Sequence, residues 1–318
     1  MSISASYLDL KSRTAFLFPG QGAQAVGMGL DLYENSQAAR AVFDQIDEAL
    51  ETRLSKIFFE GPEDELRKTV NAQPSIMAVS MACLKAMEEA LGQDLIPKAS
   101  LVAGHSLGEY TALVAAGVLN VPDAARLVRE RGRLMQYAAE LSEGGMAAIM
   151  GIENSTLEEI CLETNTEISN INTPDQTVIS GDKADVEKAV ELATNRGARR
   201  TVSLPVAGAF HSKLMGPAQE GLAKIVESLN INEPSIPIVA NCTGLPVTTI
   251  EDIKHELTSG LCSCVRWSES VEYMIDAGIT TFYEIGPGRA LSGMVKRINE
   301  NVEIININSL ESIQLLTA

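Results

Sequence analysis

The sequence predicts an α/β fold with a mostly parallel sheet and a smaller βαββαβ unit set into it, and three observations carry that reading. A short apolar run, Leu101-Val102-Ala103-Gly104, leads into Gly104-His105-Ser106-Leu107-Gly108 and then into Glu109-Tyr110-Thr111-Ala112-Leu113-Val114, which is strand, tight turn and helix in succession. Strand-length apolar runs alternate with segments of helical period along most of the chain. Between about Gly145 and Leu204 that rhythm breaks into six short elements. At 318 residues the chain can bury one large core carrying an insert, or two cores.

Taken in order, Thr14–Phe18 reads as a buried first strand, broken by the loop Pro19-Gly20-Gln21-Gly22-Ala23-Gln24. Gly20-x-Gly22-x-x-Ala25 is a partial dinucleotide fingerprint, but that motif needs a second strand ending in an acid about 20 residues on. Gln37–Leu50 has helical spacing instead, so the loop suits another task, letting backbone amides approach a reacting carbonyl. Ala72–Leu91 reads as a helix with Pro74 in its first turn and Met77, Met81 and Met87 as core filler. Val121–Arg133 is an amphipathic helix with Arg126, Arg129, Arg131 and Arg133; Gly132 offers close packing that would let Arg131 point inward.

The 145–204 segment reads as strand 146–150, helix 155–164, strands 167–172 and 176–181, helix 183–195 and strand 199–204, a ferredoxin-like order. Asn154 or Ser155 and Asp182 mark the helix starts, Gly197 a stop, and Thr173-Pro174-Asp175 the turn between the middle strands. Pro237–Asn241 and Thr281–Ile285 are further strands. The expected division is a core of 14–143 and 205–306, a small subdomain of 144–204, and tails at 1–13 and 307–318.

A net charge of −17 excludes nucleic acid as a partner, because phosphate binding needs clustered Lys and Arg. An acidic partner would need a local basic patch, with Arg196, Arg199 and Arg200 or Arg289, Lys296 and Arg297 as candidates. No apolar run reaches the roughly 18 residues of a membrane span, and Met1–Arg13 lacks an export signal. Cys83, Cys161, Cys242, Cys262 and Cys264 read as reduced thiols without zinc-site spacing. A cytoplasmic location and a monomer are expected, with no metal and no membrane partner.

Gly-x-Ser-x-Gly between strand and helix is a nucleophile elbow: glycines at minus two and plus two let the backbones approach, and the serine sits at the electropositive helix start. Ser106 is therefore the candidate nucleophile, and the N–H of Leu107 a candidate oxyanion donor. A serine hydroxyl needs a base, and histidine is the usual one. Of three histidines, His105 adjoins Ser106 and should turn away, and His255 lies in a charged helix. His211 is the base by elimination. A Ser–His dyad serves hydrolysis and acyl transfer equally well.

Phe18-Pro-Gly-Gln-Gly-Ala-Gln24, Gly104-His-Ser-Leu-Gly-Glu-Tyr110, Arg131-Gly132, Ala209-Phe-His211 and Glu284-Ile-Gly-Pro-Gly288, in this order, resemble the malonyl-coenzyme A:acyl carrier protein transacylase family from Thr14 to Arg297. The resemblance implies an α/β-hydrolase-like large subdomain beside the ferredoxin-like one. It implies Ser106 as the malonyl-carrying nucleophile, His211 as base, and Gln21 with Leu107 as the oxyanion amides. Arg131 would pair with the malonyl carboxylate, Asn170 and Asn172 would face the pocket, and Phe210 would favour malonyl over methylmalonyl. Gly260 stands where the family often has a glutamine whose backbone carbonyl orients the histidine, and glycine keeps that carbonyl. Cys264 replaces a frequent proline. Malonyl-coenzyme A is then substrate, no cofactor is needed, and the acidic carrier protein would dock near Arg199, Arg200 and Lys296. The rival readings are a serine thioesterase or hydrolase on the same core, a non-catalytic carrier-binding protein, and a discrete acyltransferase for polyketide synthesis; a plastid stroma is the alternative location.

Overall fold

The computed structural model describes residues 13–206 and 208–317, so the expected tail at 1–13 lies outside it except for Arg13. Ten strands order the described residues: β1 (Thr14–Phe18), β2 (Leu101–Gly104), β3 (Gly144–Met150), β4 (Glu167–Thr173), β5 (Gln176–Asp182), β6 (Arg200–Ser203), β7 (Ile238–Val239), β8 (Pro246–Val247), β9 (Thr281–Ile285) and β10 (Glu303–Ile307). They form a six-stranded sheet, β10-β9-β1-β2-β7-β8, and a four-stranded sheet, β4-β5-β3-β6. The large sheet is parallel except for the β7–β8 hairpin. The architecture is thus α/β, with a mostly parallel sheet beside a small antiparallel one.

β1 is apolar at every position because both faces of the large sheet are covered. Phe16, Phe18 and Val102 face a core shared with the helices Gln37–Ala49, Thr69–Leu91 and Val121–Glu140, whereas Ala15, Leu17, Leu101 and Ala103 face a second core with Trp267, Val271 and Leu291. The two-residue period of a strand produces this alternation. Parallel register sets Phe18 beside Gly104, so the loops after β1 and β2 leave the same sheet edge side by side. His105 N–H donates to Phe18 O at 3.1 Å and ties them together. Carboxyl-end loops of a parallel sheet are where ligands usually sit.

The small sheet has the strand order of a ferredoxin-like unit. Its helices, Asn154–Thr164 and Lys183–Asn195, pack Leu157, Ile160, Val186 and Ala189 onto Ala147, Ile149 and Ile179. Asp182 caps the second helix, accepting from Ala184 N–H at 3.0 Å. Asn154 is not a cap: it is the first helical residue, and its Oδ1 accepts from Thr177 Oγ1 at 2.8 Å. The sheet is tied to the segment leading into the helix Trp267–Asp276, where Ile171 N–H donates to Val265 O and Val265 N–H to Ser169 O.

Three further expectations are corrected. The helix holding Pro74 begins at Thr69, which puts the proline in the second turn rather than the first. β7 stops at Val239 because the next backbone groups turn into its hairpin and bond elsewhere, Ala240 N–H to Leu245 O and Asn241 N–H to Glu109 Oε1. The stretch after 306 is no tail: Ile307 completes β10, and Leu310–Thr317 is a helix that buries Ile313 and is anchored by Leu310 N–H on Asp31 Oδ2.

The elbow glycines are sterically required. A Cβ on Gly104 would fall 1.9 Å from the Gly108 carbonyl carbon, and one on Gly108 2.0 Å from Phe18 O. These collisions involve backbone, so no rotamer relieves them. Gly108→Ala is expected to destabilise the fold by about 3 kcal/mol or more. Gly293→Ala, in open space on the helix Ala290–Ile298, is expected to stabilise it by roughly 0.5–1 kcal/mol. Denaturant midpoints of the two variants read the contrast.

Candidate active site

Ser106 begins the helix Leu107–Ala115 with φ 51 and ψ −104, a conformation that a non-glycine residue adopts only under constraint. A serine in this place commonly caps its helix through Oγ. Here Oγ makes no cap bond and lies 2.8 Å from His211 Nε2. His211 is itself at φ 58. Two of the few left-handed non-glycine residues therefore meet at this bond.

The tautomer of His211 follows from its other nitrogen. Nδ1 lies 2.9 Å from Gly260 O and 3.2 Å from Ser263 O, and carbonyls only accept, so Nδ1 carries the proton and Nε2 is a bare acceptor for Ser106 Oγ–H. The glycine at 260 does supply the carbonyl expected of it, and Ser263 adds a second that the sequence did not announce. Burial lowers the pKa of His211 to about 3, and the Arg131 cation pushes the same way. Because the folded value lies below the ordinary 6.5, the unfolded chain binds the extra proton, and stability is lost as pH falls from 6.5 toward 3. The loss is expected to approach 1.4 kcal/mol per pH unit. Denaturation midpoints between pH 7 and 4.5 should fall less steeply in His211→Gln than in the parent.

Of the arginines on Val121–Glu140 only Arg131 is buried, at 3% exposure. Its helix comes close to Thr69–Leu91 at Gly132, where a Cβ would be 2.6 Å from Thr69 O. The guanidinium donates to Gln73 Oε1 at 2.6 Å and to Ser106 Oγ at 3.2 Å, and stands 5.0 Å above the Tyr110 ring. Its Nε has no partner, and among the described residues no carboxylate lies within ion-pair distance of it. A buried guanidinium with no ion-pair partner is costly unless an anion joins it. The site is therefore built to receive a negative group next to the serine.

Gln21 sits in the loop after β1, its amide donating to Thr69 Oγ1 at 3.3 Å and accepting from Gln73 Nε2 at 3.5 Å. The N–H of Leu107, first in its helix, has no carbonyl one turn back, whereas that of Ser106 is spent on Asn241 Oδ1 at 2.7 Å. His105 turns away as expected: Nε2 donates to Asn172 Oδ1 at 2.9 Å and the ring meets Trp267 edge-on. Asn172 thus faces the elbow, and Asn170, also on β4, accepts from Ser169 Oγ. Phe210 is buried beside His211, and His255 is exposed on Ile250–Ser259.

Sequence reasoning missed Gln73, Ser263, and a buried trio of Glu109, Asn241 and Glu256. Only Glu109 had a local signal, an acid three residues after the serine in a helix's first turn. Burial and the neighbouring Glu256 carboxyl hold the pKa of Glu109 well above the carboxylate range. No group of three or more His, Cys, Asp or Glu side chains among the described residues is arranged to hold a metal ion.

Known proteins are similar to this chain over nearly its whole length. The model of the acyl transferase domain family matches residues 15–313. The malonyl CoA-acyl carrier protein transacylase of Bacillus subtilis is 44% identical over 309 residues, covering 96% of each chain. The crystal structure of an acyl-carrier-protein S-malonyltransferase from Bartonella henselae superposes with a TM-score of 0.92 at 43% identity, covering 96% of this chain and 100% of that one. A malonyl-transacylase solved in complex with its type II PKS acyl-carrier protein has a TM-score of 0.91 at 37% identity, over 96% and 99% of the two chains.

Proposed function

The chain belongs to the malonyl-coenzyme A:acyl carrier protein transacylases of the acyl transferase family, and from that membership we propose how its residues move malonyl from coenzyme A to the carrier protein's phosphopantetheine thiol. Ser106 Oγ attacks the thioester carbonyl while His211 Nε2 takes its proton. The tetrahedral oxyanion is held by the N–H groups of Leu107 and Gln21. On collapse the C–S bond breaks, His211 returns the proton to the departing thiolate, and malonyl remains as an ester on Ser106. The carrier thiol then repeats the steps in reverse order, giving a ping-pong cycle without a cofactor or metal.

The observation that carries this reading is the buried Arg131 without a carboxylate partner, 3.2 Å from the nucleophile. Guanidinium binds carboxylate through two parallel hydrogen bonds, so Arg131 holds the far end of malonyl while Ser106 takes the near end. A hydrolase acting on neutral acyl groups has no use for that charge. Phe210 bounds the space beside the base, and Asn172 braces His105 from the small sheet, with Asn170 next to it on the same strand. The core of 14–143 with the chain from 205 onward and the unit of 144–204 close the site between them. The test is acylation of Ser106 by malonyl-coenzyme A followed by discharge to carrier protein.

Carrier docking uses the exposed cations Arg199, Arg200 and Lys296. Arg199 is engaged with Asp175, and the Lys296 ammonium donates to Glu300 O and Val302 O, which leaves Arg200 uncommitted among the described residues. Arg200→Glu should raise the KM for carrier protein several-fold and leave that for malonyl-coenzyme A alone, and added salt should narrow the difference. Equal changes in both KM values would remove Arg200 from the docking site.

No helix among the described residues is long and apolar enough to cross a membrane. The reading from family membership is a cytoplasmic monomer supplying fatty acid elongation. The relative solved with a type II PKS carrier favours polyketide supply as the second reading.

A further inference from the structure

A glutamate at the third helical position often accepts directly from the N–H of the residue that starts the helix. Glu109 holds that position relative to Ser106, yet an asparagine from the turn after β7 stands between them. Asn241 Oδ1 accepts from Ser106 N–H at 2.7 Å. Its Nδ2 donates to Gly104 O at 2.7 Å and to Glu109 Oε1 at 3.1 Å, and Glu109 Oε1 also accepts from Asn241 N–H at 2.9 Å. One amide therefore clasps both ends of the elbow, and Glu109 decides which way round it sits.

We infer that Glu109, acting through Asn241, is a positioning residue for the nucleophile: it keeps Ser106 in its left-handed turn, with Oγ toward His211 and the Ser106 N–H occupied. This rests on the reading of Ser106 as the acylated residue. Ser106 carries backbone strain, which persists only where its surroundings over-determine it, and three hydrogen bonds converge on the amide that does so. Ser106 Oγ is not needed to cap its own helix, because the N–H groups it would serve donate to backbone carbonyls, Gly108 N–H to His105 O at 2.9 Å and Glu109 N–H to Ser106 O at 3.2 Å. Glu256, buried opposite, hydrogen-bonds Glu109 and accepts from Cys242 N–H at 2.8 Å, so two carboxyls sit together away from solvent. Burial and the adjacent Glu256 carboxyl favour the protonated form of Glu109. A glutamine at 109 reproduces the protonated form, its Oε1 accepting from Asn241 and its Nε2 donating to Glu256.

The experiment is single-turnover acylation of Ser106 by malonyl-coenzyme A, with thermal midpoints recorded for each full-length variant. Glu109→Ala should lower the limiting rate about 10- to 100-fold while the half-saturating concentration stays within about twofold, the signature of a group acting on the reacting geometry rather than on binding. Glu109→Gln should restore the rate to within about threefold of the parent. Asn241→Asp, which cannot donate to Gly104 O, should match Glu109→Ala. Leu113→Ala lines the same water-sized cavity as Glu109 and Glu256 but touches none of these hydrogen bonds; it should lower the midpoint and keep the parent rate. Equal slowing by Leu113→Ala at a matched midpoint, or a parent rate in Glu109→Ala, would overturn the inference. A parent enzyme that forms no adduct would instead overturn the assignment of Ser106.

Discussion

Replacing His211 by alanine is expected to slow acylation of Ser106 by about 10²- to 10⁴-fold, the range that a positioned general base contributes. The effect is this large because, among the described residues, nothing else hydrogen-bonded to Ser106 Oγ accepts a proton: Arg131, its other neighbour at 3.2 Å, only donates. His211→Gln should not rescue the rate, since a side-chain amide cannot take the proton and later return it to the thiolate. The pH dependence should agree. With the free-enzyme value at about 3, the base is already neutral across the working range, so acylation should show no loss near pH 6.5 and decline only in strongly acidic buffer. A rate profile with a midpoint near 6.5 would mean that His211 is more exposed than its surroundings imply. Pre-steady-state acylation across pH reads both quantities.

Arg131→Ala is expected to cost malonyl transfer about 2–5 kcal/mol, roughly 30- to several-thousand-fold, while leaving acetyl transfer unchanged or faster. The malonyl carboxylate loses its partner, whereas acetyl presents no charge and is spared the neighbouring cation. Arg131→Lys should recover little. An ammonium has no planar fork to bind a carboxylate while also reaching Gln73 Oε1, and it stacks less well over Tyr110. The ratio of malonyl to acetyl acylation rates checks this, because a global loss of structure lowers both together. Equal loss for both acyl groups would assign Arg131 a structural task only.

The strand and helix limits of the small sheet were legible because each element is short, apolar on one face and closed by a turn residue such as Asp182 or Gly197. The elbow was legible because its glycines are dictated by backbone collisions that no other residue avoids. Ser106 and His211, chosen by motif and by elimination, lie in hydrogen-bond contact. Arg131 stood out only through its glycine neighbour, since burial of one arginine among four is decided by the helix it packs on. Long-range polar contacts were not legible. Asn241 follows β7 by two residues yet bonds groups on either side of Ser106, and Glu256 looks like one more acid on a charged helix. Pro74 misled because its helix begins earlier, at Thr69, where local side-chain bonds hold the start, Asn71 Nδ2 donating to Glu65 O and Ser75 Oγ to Asn71 O. Likewise the carboxyl-terminal helix is held by Asp31, far away in sequence.

Malonyl is expected to rest on Ser106 and to leave to a carrier thiol rather than to water. Intact-protein mass after brief mixing with malonyl-coenzyme A, followed by addition of carrier protein, tests it most directly. The parent should gain one malonyl group, Ser106→Ala none, and carrier protein should discharge the adduct much faster than buffer does. An adduct that persists in Ser106→Ala, or one that water clears as fast as carrier protein, would contradict the account.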